Sequence, residues 1–167
     1  RKDMYKIFAI VVCKADDPDF DYHNFIDSDS DAAKNEYIEK IMERSIIKTT
    51  VDVKASDRLL TLSTCDYTFR DPDTNKLIAR LVVFARAVRD GESETVNVNA
   101  ATLNPNPVMP QQWYDYIKKQ QDKKAAEELE KEQKAYIALW LTEEEAADTT
   151  LTTAELYAKA QERAAQA

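Results

Sequence analysis

A chain of 167 residues, 44% hydrophobic and 32% charged, holds enough apolar material for one packed domain with an appendage and too much to stay disordered. Its single glycine, Gly91, excludes both glycine-rich phosphate loops, and a net charge of −8 disfavours nucleic acid, because an acidic surface repels phosphates. No run of 18 apolar residues is present to span a membrane, and two cysteines with one histidine, His23, are too few for a disulfide framework or a zinc site, so no cofactor is expected.

Met4–Cys13 is rich in Ile, Val, Phe and Tyr and reads as a buried strand. It begins almost at Arg1, which suggests a piece cut from a longer chain. An acidic loop follows from Ala15 to about Asp31. Tyr37, Ile38, Ile41 and Met42 then recur at helical spacing, predicting a helix over Ala32–Ser45 with Ser30 or Asp31 as its N-cap. Ile46–Val53 and Leu59–Thr64 read as two further strands, separated by the polar turn Lys54–Asp57. Asp66–Lys76 is a loop carrying Pro72, and Leu77–Val88 is the last strong strand.

The composition changes after residue 95, and a boundary there predicts two parts, 1–95 and 96–167. Asn97–Pro110 holds Pro105, Pro107 and Pro110 among several Asn, as an extended crossing segment would. Pro110 suits the first turn of a long helix over Gln111–Leu141. Thr142 with Glu145, and Thr152 with Glu155, match the capping-box spacing, so short helices are expected to follow each. The stripe Trp113, Tyr116 and Ile117 reads as core packing, and Lys118–Lys134 as a solvated charged face.

Cys65 is the residue best placed for chemistry. It closes a strand in the run Leu60 to Cys65 (LTLSTC), where a thiol reaches solvent, and an arginine nearby would favour the thiolate and hence nucleophilic attack. Cys13 ends an apolar strand with no polar company and reads as a small buried hydrophobe.

The run Leu60–Cys65, followed after a loop by Arg80–Ala85 (RLVVFA), resembles the sortase signature, in which a T-L-x-T-C strand end carries the nucleophile and an R-[ILV]-V-V strand start carries an arginine. Ser63 before Thr64 and Cys65, then Asp66 and Tyr67, looks like class B. So do the helix inserted between Met4–Cys13 and the Cys-bearing strand and the segment Pro107–Tyr114 (PVMPQQWY). The resemblance covers about residues 4–116. It implies a mainly β fold with helices, part of a sortase-type β-barrel, and the helices read after Pro110 add a C-terminal α-helical extension to it.

The resemblance also implies a cysteine transpeptidase of the extracellular face of the membrane, anchored through an N-terminal segment. Cys65 would attack the carbonyl of a Thr in a sorting-signal peptide, and an amine of a peptidoglycan precursor or pilin would resolve the thioester. Arg80 would hold the substrate or the oxyanion, and Ser63, Thr64, Asp66 and Tyr37 would line the substrate groove, with Tyr22 and Phe25 beside them. Arg86 and Arg89 are rival arginines. Arg80 and Arg86 share a face by period-2 alternation, and only the position at the strand's start favours Arg80. Arg70–Asn75 looks like an insertion between Cys65 and Arg80.

The family's histidine is upstream of the strand that begins here at Met4, and His23, in the run Asp21–Phe25, matches no family histidine motif. The chain therefore reads as the C-terminal half of the barrel, inactive alone, with the missing N-terminal half as a partner. Asp27, Asp29 and Asp31 imitate positions 1, 3 and 5 of an EF-hand loop. Ala32 and Ile38 replace the required Gly and Glu, which rejects that motif and leaves a solvated acidic loop or an adventitious Ca²⁺ site. A papain-like protease fails for want of a downstream His. A non-catalytic interaction module, binding a partner through the acidic helical tail, is the alternative function.

Overall fold

The computed structural model describes residues 3–23 and 30–167. Strand β1 (Tyr5–Lys14) and strand β3 (Leu59–Cys65) both pair antiparallel with β4 (Ala79–Ala87), giving a three-stranded sheet in the order β1-β4-β3. β4 takes the centre because its run of Leu, Val and Phe tolerates burial on both faces. A register shift between Ile7 and Ala9 bends β1. Helix α1 (Asp31–Arg44) lies in sequence between β1 and β3, and the oxygen of its N-cap Ser30 accepts from the Ala33 amide.

The sequence expectation of a strand over Ile46–Val53 is corrected: only Ile47–Lys48 (β2) is strand, paired with Thr102–Leu103 (β5) in a separate two-stranded ladder. The chain bends away at Thr49, whose hydroxyl donates to the Phe8 carbonyl at 3.3 Å and accepts from the Val51 amide. Val51 and Val53 still pack on the core, so their apolar character is explained without a ladder. The mainly β expectation is likewise corrected to a mixed fold, since helical residues outnumber strand residues, and no closed barrel forms among the described residues.

Two compact units divide the chain, Arg1–Ile117 and Lys118–Ala167. The crossing segment after residue 95 falls in the first. The Asn104 side-chain amide donates to the Ser45 carbonyl at 2.8 Å, and the Val108 amide to the Glu43 carbonyl at 3.0 Å.

In the first unit one core cluster gathers Phe8, Val11, Cys13, Phe20, Tyr22, Ile41, Val82 and Phe84, with Tyr37 at its margin. A second, of Val12, Phe69 and Ala79, is covered by Met109, Trp113 and Tyr116 from the crossing segment and the start of helix α2 (Gln111–Trp140). Adjacent positions in β1 and β4 thus serve different clusters, as the pleat requires. Ser45, 1% exposed, binds these parts together: its hydroxyl accepts from the Ile10 and Ile47 amides and donates to the Ile47 carbonyl.

The far end of β4 carries an ion cluster. Arg86, 1% exposed, forks onto both Glu92 oxygens at 2.7 Å and reaches the Asp52 carbonyl and carboxylate, while Lys6 adds a second cation to Glu92. Arg89 spans Asp57 and Asp52. Hydrogen bonds from Arg86, then Lys6, hold Glu92 well below the usual carboxylate range. A buried guanidinium persists here because each of its donors is matched.

The second unit has its own core of Ile137, Leu141, Leu156 and Ala160 with Tyr136, Trp140 and Tyr157. Helices α3 (Glu143–Ala146) and α4 (Thr153–Ala165) each begin with a complete capping box, Thr142 with Glu145 and Thr152 with Glu155. Lys123–Glu127, Lys124–Glu128 and Lys134–Glu130 pair at i,i+4 along α2, a solvated charged face.

Candidate active site

The register of the sheet sets Cys65 opposite Arg80, and Arg80 opposite Cys13, so the three side chains form one row across the strands. Residues directly opposite share a face. The next row on that face is Val11, Val82 and Ser63, two of which lie in the main core cluster. Cys65 is the last residue of β3 and is exposed, whereas Cys13 at the other end of the row is 1% exposed.

Arg80 Nη1 donates to Cys65 Sγ at 3.4 Å and to the Ala79 carbonyl at 3.2 Å. The second contact anchors the guanidinium while it touches the thiol. Burial pushes the Cys13 thiol up to about 12, with the Asp17 carboxylate adding to the effect. Of the competing arginines, Arg86 and Arg89 are held in the ion cluster at the opposite end of β4. The structure thereby separates what strand parity leaves open.

The loop between Cys65 and Arg80 is short-circuited by its own bonds. Asp66 accepts from the Thr68 amide at 2.7 Å and from the Thr68 hydroxyl, and its own amide donates to the Ala79 carbonyl. Arg70 and Leu77 form an isolated bridge, with Arg70 donating to the Asn75 carbonyl. Asn75 takes a positive φ of 57° to close the turn, a conformation that Asn adopts more readily than most residues. The apparent insertion Arg70–Asn75 is a self-contained turn, and Cys65 and Arg80 remain paired across its base.

The other residues expected to line a substrate groove divide. Ser63 lies on the face of Cys65, and its hydroxyl donates to the Tyr22 hydroxyl at 3.1 Å. Thr64 is exposed and lies opposite Leu81, on the other face from Cys65. Tyr37 is half-buried, its ring 6.1 Å from that of Phe20 and edge-on to Phe84, and burial pushes its hydroxyl well above the usual tyrosine range. Tyr22 is 7% exposed. Its hydrogen bond to the Cys-bearing strand leaves no trace in sequence spacing, because it joins a loop to a strand 41 positions away.

His23 is exposed, stacked on Tyr22 at 3.8 Å between ring centroids, with Nδ1 3.6 Å from Asp21 Oδ1. It makes no hydrogen bond to Cys65 or Arg80. No group of three or more His, Cys, Asp or Glu suited to a metal ion occurs among the described residues. Phe25, Asp27 and Asp29 of the acidic loop lie outside them. No described helix is long and apolar enough to cross a membrane.

No family model matches the chain, and no curated protein matches it. Among solved structures, the chain is similar to the Staphylococcus aureus sortase B–substrate complex, at 22% identity and a TM-score of 0.40; the match covers 52% of this chain and 37% of that one.

Proposed function

We propose that this chain is the Cys/Arg portion of a class B-like sortase, a cysteine transpeptidase. The observation that carries the reading is the placement of Arg80 Nη1 3.4 Å from Cys65 Sγ, at the two motif positions that resemble the family's nucleophile and arginine. The exposed thiol attacks the Thr carbonyl of a sorting-signal peptide. A C–S bond forms, the amide C–N bond breaks, and the leaving amine takes a proton from a general acid. An amine of a peptidoglycan precursor or pilin then attacks the thioester, forms the new amide and returns the thiol. Arg80, with donors left over after its bonds to Sγ and the Ala79 carbonyl, stabilises the charge that develops on the carbonyl oxygen.

The general acid and base comes from outside this pair. His23 is tied to Asp21 and Tyr22 instead, so the chain alone is inactive, and the N-terminal strands of the family's barrel are its partner and bring the histidine. Placement at the extracellular face of the membrane, through a segment before those strands, belongs to the same reading.

The test is mass-spectrometric capture of a thioester with a panel of sorting-signal peptides, with and without the complementing half. A Cys65 adduct only in the complemented sample, abolished in Cys65→Ala, is expected. Turnover by the 167-residue chain alone overturns the missing-half reading, and an adduct that survives Cys65→Ala overturns the nucleophile.

A further inference from the structure

We propose that Tyr22 is a positioning residue that latches the loop Ala15–His23 beside Cys65 and thereby sets how large a molecule reaches the thiol. The proposal deepens the reading of Cys65 as nucleophile and rests on it for its meaning in catalysis. The physical latch stands on geometry alone.

Three observations place the latch. Phe20 and Tyr22 are both buried in the cluster that includes Cys13, Val82 and Phe84, so this stretch of loop lies on the sheet face that carries Cys65. Arg44 adds a cation over the Phe20 ring at 5.0 Å, which fixes the loop to α1 as well. The Tyr22 hydroxyl then reaches Ser63 Oγ at 3.1 Å, and Ser63 is one strand repeat, about 7 Å, from Cys65 on the same face. Ser63 spends its one hydroxyl proton on this bond, and Tyr22 accepts it. A peptide carbonyl that would accept from Ser63 competes with Tyr22 for that proton, so the latch and that substrate contact exclude each other at one side chain.

The bond joins a nearly buried phenol to an exposed serine, and its loss leaves the Tyr22 ring packed as before. Tyr22→Phe therefore removes the latch without removing the core, and Ser63→Ala removes the same bond from the other side. A typical intramolecular hydrogen bond, at 0.5–1.5 kcal/mol and 1.4 kcal/mol per tenfold, shifts the latched population about 2- to 12-fold.

The experiment reads Cys65 modification, mapped by mass, with iodoacetamide and with a bulky fluorescein maleimide. It requires no transpeptidation, so it separates failure of the latch from failure of the enzymatic reading. In each single variant the maleimide rate is expected to rise about 2- to 12-fold, while the iodoacetamide rate changes less than twofold. The double variant should match either single, because both remove one bond. Unchanged maleimide rates in both singles, or effects that multiply in the double variant, overturn the proposal. So does an equal rise with both reagents, which would report general loosening instead of a size-selective wall.

Discussion

Treating the native protein with iodoacetamide at pH 8 sets Cys65 against Cys13 in one tube, and the structure sets the scale of the difference. Cys13 has its thiol pushed from 9.0 up to about 12, chiefly by burial. A thiol at 9.0 is about one-tenth thiolate at pH 8, and one at 12 is about 10⁻⁴ thiolate, so ionisation alone slows Cys13 about a thousandfold on folding. Its 1% exposure then confines reaction to moments when the sheet opens. Cys65 is exposed and touches Arg80, so no such opening is needed for a reagent to reach it. Peptide mapping is expected to show Cys65 fully carboxamidomethylated while Cys13 stays unlabelled, with both labelled in urea. The same shift has a stability consequence. A thiol whose folded-state value is raised stabilises the fold below about 9 and withdraws that contribution as pH climbs toward about 12. Labelling of Cys13 at a rate comparable with Cys65, in protein that retains its native circular dichroism, refutes the placement of the row Cys13, Arg80, Cys65.

Arg80→Lys is expected to cut thioester formation by the complemented enzyme about 10²-fold, the scale of losing one oxyanion donor, because an ammonium cannot reproduce the planar fork. Arg86→Lys should instead lower the melting temperature and leave Cys65 alkylation unchanged, since Arg86 serves the ion cluster with Glu92 and Asp52; the reverse pattern shows that the arginines are misassigned. Ser45→Ala removes a buried hydroxyl and leaves the half-buried Ile10 amide without its partner, which should cost about 1–3 kcal/mol in urea unfolding; a loss below 0.5 kcal/mol refutes its role as the junction of β1 and β2. Glu145 is held down to about 2, first by the Thr142 amide and then by Arg163, from an ordinary 4.5. A depressed carboxylate stabilises above its ordinary value, so the second unit should lose stability as pH falls from about 4.5 to about 2, read by Trp140 fluorescence, and Glu145→Gln should flatten that limb.

The elements that came through from sequence were those whose signal is local. The capping boxes at Thr142 and Thr152 formed as spaced, because a cap satisfies its own backbone amides within one turn. β1, α1, β3, β4 and α2 appeared within two residues of their expected bounds. Ile46–Val53 misled for a non-local reason. Its β-branched residues promised a ladder, but Thr49 turns to the Phe8 carbonyl, and Asp52 is drawn to Arg86 and Arg89 from the far side of the unit. Tertiary partners override strand propensity at such a place, and none of them is adjacent in sequence.

The choice between Arg80 and Arg86 shows where the legible part of the site ends. Both lie on one face of β4, both are arginines on a strand of Leu, Val and Phe, and parity treats them alike. What distinguishes them is the register of β4 with β3, which sets Cys65 against Arg80 and Leu59 against Arg86. Strand β3 has no strong marker of register in its own sequence, since LLTLSTC offers polar and apolar residues to both faces, and five consecutive positions, Thr61 to Cys65, are exposed. The register is fixed at its two ends, by Asp66 donating to the Ala79 carbonyl and by the Arg58 carbonyl accepting from Ala87. At the Arg86 end, Glu92 and Asp52 then neutralise the guanidinium, so that charge is already spent on the fold. The arginine that remains beside a thiol is Arg80, and a one-residue slip of β3 would carry Cys65 to the opposite face and dissolve the pair. The contact between Cys65 and Arg80 therefore depends on the β3–β4 register as much as on the two residues themselves.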